Sequence, residues 1–546
     1  MGRFLNSIIP YEAYRRIANS RYFVDKTALL SELVPALDLE ERYFCITRPR
    51  RFGKSVMAHM IAAFFEKDMD SSTLFEGLEI TKGNIGSSID FDYKDHMNQH
   101  QVIFIDFSTV PEQCRSYQDY ISSISTGIKD DLAEAYPELS IDQMQSLWDI
   151  LTNIFQKTGD RFLFVMDEWD ALFHMPFVQK KEKDAYLLFL KMMLKDRVYV
   201  EFAYMTGVLP IAKYSSGSEL NMFTEYDMTI TERFSEYFGF LDTEVDHLHE
   251  IYRNTQKNPN VTREELLIWY DGYYTAAGHR LYNPRSVVNA LVNNQIRNYW
   301  TSSGPYDEIF YYIRHNVDEI QDDLALMIAG AGVETRVQEY AAVSQELNTK
   351  VEIYSAMVIY GLLTYETASG CVFIPNRELM HQFDQMLLSH DSLGYVHRLA
   401  KISAKMLKAT LDRDTDTMAE ILQYAHNTES PILSYNSEIE LSAVVNLVYL
   451  AARDRYRVER EDKSGRGYVD FIFYPEKKNA DAILLELKID HTPEEAIAQI
   501  KDKDYILRFQ GKLGEHPKYT GRILAVGIGY SRTTKEHCCK VEVLKP

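Results

Sequence analysis

Cysteine is scarce: five in 546 residues, scattered apart from Cys538-Cys539, with neither a disulfide framework nor a zinc-ligand spacing. Long apolar runs are missing too. The nearest, Ala443–Ala452, contains Asn446 and falls far short of the roughly 20 residues a membrane helix needs. No positively charged start leads into an apolar segment, and Asn6 stands where a myristoylation signal wants Ser or Thr. These absences exclude a disulfide scaffold and a helical membrane protein, and set the expectation of a cytoplasmic chain with no membrane partner. Repeats and low-complexity stretches are also absent. Basic charge is short: 59 Lys and Arg face 80 Asp and Glu, a net −21, which counts against a chain that grips nucleic acid along its length. The exception is the tail. From Arg453 to Pro546 there are 19 Lys and Arg against 16 Asp and Glu, so the tail is near +3 and the rest near −24.

What is present is ordinary for globular domains, with 46% hydrophobic and 25% charged residues. The length exceeds one core, so two to four domains are expected. Arg42–Thr47, Val102–Phe107, Arg161–Met166 and Val198–Met205 read as near-continuous apolar strands with helical stretches between them. That alternation predicts a parallel sheet covered on both faces. Residues 231–300 read as a helical lid and 301–434 as a mostly helical linker. Within the linker, Glu352–Glu366, a Ser369-Gly370 turn, Cys371–Ile374 and a helix from Asn376 make a winged-helix-like pattern. It lacks a basic recognition helix, so a scaffold role is expected there. From 435 the order becomes helix, three strands (Tyr456–Glu461, Tyr468–Tyr474, Ala482–Ile489), helix (Glu494–Phe509), strand (Arg522–Gly529), an αβββαβ domain of its own.

The first strand runs into Arg48-Pro49-Arg50-Arg51-Phe52-Gly53-Lys54-Ser55 and then an amphipathic helix. This is the placement of a phosphate-binding loop, in which the backbone of Arg50, Arg51, Phe52, Gly53, Lys54 and Ser55 cradles phosphates at a helix N-terminus. Lys54 would reach the β- and γ-phosphates and the Ser55 hydroxyl would ligate Mg²⁺. Arg48 replaces the pattern's first glycine, and Pro49 offers no N–H. The side chains of Arg50 and Arg51 are either phosphate contacts or solvated arginines. Phe162–Glu168 (FLFVMDE) places Asp167 at a strand end, where α/β sheets collect ligand chemistry. Asp167 would hold Mg²⁺ and Glu168 would polarise the attacking water; the plain alternative is a strand ending in an acidic cap. Thr206 ends the next strand, either as a γ-phosphate sensor or as a structural residue.

YFVDKTAL (22–29), ITRPRRFGKS, LFEGLEI, MDEWDALF, YMTGVLPIAKY, WYDGYY and LYNPRSVV together resemble the AAA-ATPase-like family found with a nuclease tail. The resemblance spans roughly residues 5–300 and tolerates the missing glycine. It implies an α/β P-loop NTPase domain over residues 1–230 and ATP as ligand.

The tail carries Asp470 and then Glu486-Leu487-Lys488. Residues i and i+2 of a strand share a face, so Glu486 and Lys488 point the same way. A short connection, Pro475–Asp481, makes the two strands a hairpin and lets Asp470 join them. Two carboxylates can bind Mg²⁺, or Mn²⁺, while Lys488 positions the attacking water. Glu438, opening the preceding helix, would add a third carboxylate. The strand AILLELKI is apolar around its charges, and such burial is costly unless something pairs with them. The plain alternative is a buried ion pair.

The segment SEIELSAVVNLVYLAARDRYRVEREDKSGRGYVDFIFYPEKKNADAILLELKID, followed by AIAQIKDKDY, is similar to the PD-(D/E)XK nuclease tails of those same ATPases. That match implies a restriction-endonuclease-like domain over 435–546, with Glu438, Asp470, Glu486 and Lys488 catalytic, Gln499 auxiliary and Tyr505 near the site. Val469 stands in place of the name's proline. The implied function is ATP binding or hydrolysis coupled to metal-dependent cleavage of nucleic acid, DNA foremost, and is compatible with a homo-oligomer. The alternative is a nucleotide-switched interaction module whose tail binds nucleic acid or protein without cutting.

Overall fold

Strands Tyr43–Thr47 (β1), Gln101–Asp106 (β2), Phe162–Asp167 (β3) and Val200–Gly207 (β4) are buried along nearly their whole lengths. A strand buried on both faces must lie inside a sheet covered twice, and these pair in parallel. With Thr224–Tyr226 (β5) beside β1, the order is β2-β3-β4-β1-β5. Alternate residues divide between two cores. Phe44, Ile46, Leu163, Val165, Phe202 and Tyr204 pack with the helix Lys54–Phe65. Cys45, Phe164, Met166, Ala203 and Met205 face helices on the other side, Tyr117–Ala135, Leu147–Thr158 and Lys180–Leu194. The computed structural model describes residues 2–38, 41–82, 92–211, 219–300, 317–337, 349–389, 391–427, 438–464, 467–475, 477, 479–503 and 521–545.

Helices Asp242–Thr255, Arg263–Tyr270 and Pro284–Asn293 follow, with a two-strand hairpin Tyr273–Tyr274 (β6) and Arg280–Leu281 (β7). Next comes a small sheet of Val333–Glu334 (β8), Thr364–Glu366 (β9) and Cys371–Phe373 (β10), ordered β8-β10-β9. Helices Lys350–Ile359 and Arg377–Ser389 flank it, which gives the helix, hairpin, helix succession expected from the sequence. Gly394–Asp412 and Thr415–His426 complete the helical middle.

The C-terminal sheet is Tyr456–Ser464 (β11), Gly467–Pro475 (β12), Ala482–Ile489 (β13), Ile523–Tyr530 (β14) and His537–Lys545 (β15), in sequence order. Only β13 and β14 run parallel within it, joined through the helix Pro493–Asp502. That helix covers Ile472, Leu484 and Ala525, while Phe471, Leu485 and Val526 face the larger core. The larger core is continuous from the N-terminal sheet through Tyr273 and Tyr354 to Leu485. The strands β5 to β8 and β15 were not foreseen. β5 to β8 are only two or three residues long, and β15 (HCCKVEVLK) is a charged edge strand; charged edges are how sheets avoid pairing with other chains.

Candidate functional site

Parallel pairing sets the ends of β1, β4 and β3 side by side, with β4 in the middle. The loop leaves β1 and enters its helix through Gly53, which adopts φ +89°, a left-handed conformation that suits glycine. Arg48 is buried and spends its guanidinium on the carbonyls of Thr47 (2.8 Å), Tyr226 (2.7 Å) and Phe234 (3.4 Å). The residue in the first glycine's place is therefore a post that fixes the loop's base, and burial lowers its pKa to about 10.

Lys54 is not exposed at the loop, as a phosphate-seeking side chain without ligand would be. It is 4% exposed, and its ammonium donates to the carbonyls of Arg48 and Pro49, each at 3.1 Å. A buried ammonium must spend its N–H donors on nearby acceptors, and here the loop's own carbonyls supply them. The side chains of Arg51 and Phe52 are both engaged within the protein. Arg51 donates to the Tyr299 carbonyl, and Phe52 is buried edge-on to Tyr273 at 4.9 Å, its own carbonyl accepting from Gly239 N. Only their backbone is left to face an anion. Arg50 is half-buried.

Ser55, Asp167 and Thr206 converge. Thr206 Oγ1 donates to Asp167 Oδ1 at 3.3 Å, and the Ser55 hydroxyl lies near enough to help hold the Asp167 pKa down. Asp167 is 3% exposed; burial pushes its carboxyl up to about 6, Glu168 and Asp106 adding to the push while Ser55 and Lys54 oppose it. Glu168 holds φ +52°, strained for a side-chain-bearing residue. The strain is held by Glu168 N donating to Asp167 Oδ1 (3.0 Å) and Trp169 N donating to the Thr206 carbonyl (3.0 Å).

Two residues here escaped the sequence reading. Asp106 ends β2 level with Asp167, a second strand-end acid that VIFID displays as plainly as FLFVMD. Asp170 is buried and accepts the N–H groups of Val208 (3.1 Å) and Leu209 (2.8 Å), tying the acidic segment to the chain beyond Thr206. Gly207 makes the tie possible, because an added Cβ would lie 2.4 Å from the Trp169 ring. Beside the loop lies a cavity of about 270 Å³ bounded by Pro49, Val208, Met228, Ile230, Val358 and Ile359.

In the C-terminal sheet the β12–β13 ladder is paired at Phe471–Leu485 and stops there. One step further Asp470 lies opposite Glu486, a position at which antiparallel neighbours have Cβ atoms about 5 Å apart. Asp470 Oδ2 accepts Leu487 N at 2.6 Å. Glu486 is 2% exposed; its Oε1 accepts from Lys488 Nζ at 3.0 Å and from Gln499 Nε2. Its Oε2 is buried with no hydrogen-bond partner among the described residues. Burial, then the Asp470 charge, raises the Glu486 pKa, and Lys488 opposes them. Val469 is buried in the core beneath. Glu438 opens the helix Glu438–Val448, but its side chain, like all of Tyr505, lies outside the described residues. Among the described residues no three His, Cys, Asp or Glu side chains are grouped to hold a metal ion, so two carboxylates make up the described set. No described helix is long and apolar enough to cross a membrane.

An acid and a hydroxyl thus meet at the ends of a parallel sheet beside a Gly-Lys-Ser loop, and two further acids face each other where the antiparallel β12–β13 ladder splits. Residues 9–216 match the family model described as a predicted AAA-ATPase, and residues 442–528 match that of the PD-(D/E)XK nuclease superfamily. The chain thus joins an AAA-ATPase-like domain to a PD-(D/E)XK nuclease-superfamily domain, the architecture its motifs resemble. It is 25% identical over 295 residues to the "Uncharacterized protein in vnfD 5'region" of Azotobacter chroococcum mcd 1, an alignment covering 53% of this chain and 52% of that one. The chain therefore spans about half the length of that curated relative. Similar solved structures include the Aeropyrum pernix ORC2 protein (ADPNP-ADP complexes), with TM-score 0.33 and 11% identity, covering 69% of this chain and 93% of that one. Cdc6p from Pyrobaculum aerophilum aligns with TM-score 0.27 and 9% identity, over 66% of this chain and 91% of that one.

Proposed function

We propose that the N-terminal sheet binds and hydrolyses ATP and that the C-terminal domain cleaves nucleic acid, DNA foremost, in one chain. The observation that supports the first half is the meeting of Lys54, Ser55, Asp167 and Thr206 at three adjacent strand ends. The backbone of 50–55 binds the phosphates, and Lys54 exchanges two backbone carbonyls for phosphate oxygens. Ser55 and Asp167 fit a Mg²⁺ ion, because a cation would offset the cost of burying the Asp167 charge, the cost that raises its pKa to about 6. Glu168 orients water, Thr206 meets the terminal phosphate, and the apolar cavity beside Pro49 takes the nucleoside.

The second half is carried by the orphaned Glu486 Oε2. A buried carboxylate oxygen without a donor is costly, and a divalent ion held by Asp470 and Glu486, with Glu438 as a third ligand, fits it. Such an ion, Mg²⁺ or Mn²⁺, supplies Lewis acidity at a phosphodiester. Lys488, held by Glu486, positions water and meets developing negative charge, and Gln499 fixes the Glu486 carboxylate. Division into 1–230, 231–300, 301–434 and 435–546 follows the same reading.

The test incubates plasmid and single-stranded DNA with Mg²⁺ or Mn²⁺, with and without ATP, using wild type and Asp470→Asn. Metal-dependent cutting that Asp470→Asn abolishes is expected. DNA retained by the wild type but never cut would favour the interaction module.

A further inference from the structure

The phosphate loop is anchored from outside its own sheet. Arg51, at φ +71°, donates to the Tyr299 carbonyl. Pro49 packs against Gly361, where φ is +76° and an added Cβ would sit 2.7 Å from Pro49 Cβ. Tyr273, edge-on to Phe52, stacks on Trp300 with centroids 6.0 Å apart and donates its hydroxyl to the Gly361 carbonyl at 3.3 Å.

Residues 298–300 are in turn gripped by Glu378. Its Oε1 accepts Tyr299 N (2.5 Å) and Trp300 N (2.8 Å), Oε2 accepts Ser286 Oγ (2.9 Å), and its backbone carbonyl accepts Asn298 Nδ2 (3.0 Å). Glu378 is wholly buried. A carboxylate there is expensive, and three donors from two separate segments are what hold it.

Glu378 lies in the first turn of Arg377–Ser389, and that helix reaches the other way into the C-terminal domain. Arg377 Nη2 donates to the carbonyls of Arg453 (3.5 Å) and Tyr456 (3.4 Å). Asp384 pairs with Arg453 at 2.7 Å, and Arg453 also donates to Asn446 Oδ1 at 3.2 Å. Tyr456 opens β11, and Asn446 is on the helix Glu438–Val448 that carries the third expected carboxylate.

We infer that Glu378 is a positioning residue that makes Arg377–Ser389 a rigid connector, reporting the state of the phosphate loop to the helix Glu438–Val448. This rests on the nucleotide-binding reading of the loop. A ligand moves a conformational equilibrium only through unequal affinity for its states. Phosphate wrapped by the backbone of 50–55 reorients Arg51, so the Tyr299 anchor is either kept or released. Packed interfaces switch between discrete arrangements, so release at Tyr299 transmits through Glu378 and Asp384 as one displacement.

The test uses the full chain and hydrogen–deuterium exchange with mass spectrometry, with and without ATP and Mg²⁺, beside calorimetric measurement of ATP affinity. In the wild type, nucleotide is expected to change exchange in peptides spanning the loop, 377–389 and 442–456. The change at 442–456 should be about fivefold or more, the low end of ordinary coupling. Glu378→Gln and Asp384→Asn should keep ATP affinity and the loop response but lose the response at 442–456. Asp384→Asn carries the test if Glu378→Gln fails to fold. A 442–456 response equal to wild type in a folded, ATP-binding variant overturns the connector, as does a wild-type response confined to the loop. A wild type that binds no ATP overturns the reading beneath it, and the connector with it.

Discussion

Asp470 Oδ2 accepts the backbone N–H of Leu487, the residue between Glu486 and Lys488, at 2.6 Å. The carboxylate stands in for a strand carbonyl just where the β12–β13 ladder ends, so a chemical group also closes the edge of the split. Asn can still accept that N–H. Asp470→Asn is therefore expected to lose cleavage by about 10²–10³, as for other removed electrostatic groups, while keeping its melting temperature. Thermal denaturation beside the cleavage assay checks both halves. Cleavage left unchanged in a variant that keeps its melting temperature would mean that the Asp470 charge has no part in the chemistry.

Glu486→Gln separates function from stability at the same place. Burial holds the Glu486 carboxyl above its ordinary pKa, so at neutral pH its charge works against the fold. Removing the charge should raise stability by about 1–2 kcal/mol in metal-free buffer and abolish stabilisation by added Mn²⁺. Urea unfolding with and without Mn²⁺ reads both. Equal Mn²⁺ stabilisation in the variant would place the ion elsewhere.

For the loop, the burial of Lys54 changes what its removal does. Lys54→Met keeps the side-chain volume but leaves the Arg48 and Pro49 carbonyls without their donor. ATP binding is expected to disappear, and stability to fall by about 1–3 kcal/mol for the orphaned acceptors. Calorimetry and urea unfolding are the measurements; unchanged ATP affinity would remove the phosphate-loop assignment.

Gly207→Ala should act at a distance from any ligand. Its Cβ would meet Trp169 at 2.4 Å and Asp170 Oδ1 at 2.6 Å, which forces apart the segment Asp170 ties together. Overpacking of this kind costs about 1–3 kcal/mol. The turnover number should fall more than ATP affinity, because Thr206 and Glu168 move relative to each other. Steady-state ATPase kinetics would show the split.

Glu378 gives the chain a pH signature. Burial, the largest cause, raises its carboxyl from 4.5 to about 7, with the Ser286 hydrogen bond, the Tyr299 and Trp300 N–H groups and the Arg51 charge opposing. Because the folded pKa lies above the unfolded one, the fold binds the extra proton between them. This contribution is most favourable below about 4.5 and is lost as pH rises through about 7. Its full size is about 3 kcal/mol at 1.36 kcal/mol per pH unit. Urea unfolding at pH 5.5 and 7.5 should show a larger stability drop in the wild type than in Glu378→Gln, since the raised Asp167 and Glu486 carboxyls contribute equally to both. Identical slopes in the two proteins would deny the shift.

Much of the fold was legible because its strands are unusual in composition. VIFID, FLFVMD and AILLELKI carry apolar residues on both faces, so they announce buried strands, and Asp167 at the end of one and Glu486 within another announce chemistry. The side-chain roles within the loop were not legible. Arg48, Arg50 and Arg51 look alike in sequence, yet Arg48 and Arg51 are spoken for by carbonyls of residues 226, 234 and 299, partners that only the tertiary fold supplies. The same holds for Lys26 in the YFVDKTAL motif, whose ammonium bridges Glu244 (2.6 Å) and the Glu236 carbonyl (2.6 Å) and so pins the lid helix. Asp170 escaped because a second acid three residues after the first reads as surface charge until Val208 and Leu209 are seen to point at it.

The order β3-β4-β1 fixes something that loops could not. Asp167, Thr206 and the loop root belong to three strands locked by one continuous ladder, each spaced from the next by about 4.8 Å. The separation between Asp167, Thr206 and the root of the Gly-Lys-Ser loop is thus a property of peptide geometry and is insensitive to the identity of most side chains around it. Evolution is free to vary the loops above these strand ends, and with them the choice of substrate, without having to rediscover the distances at which the chemistry works.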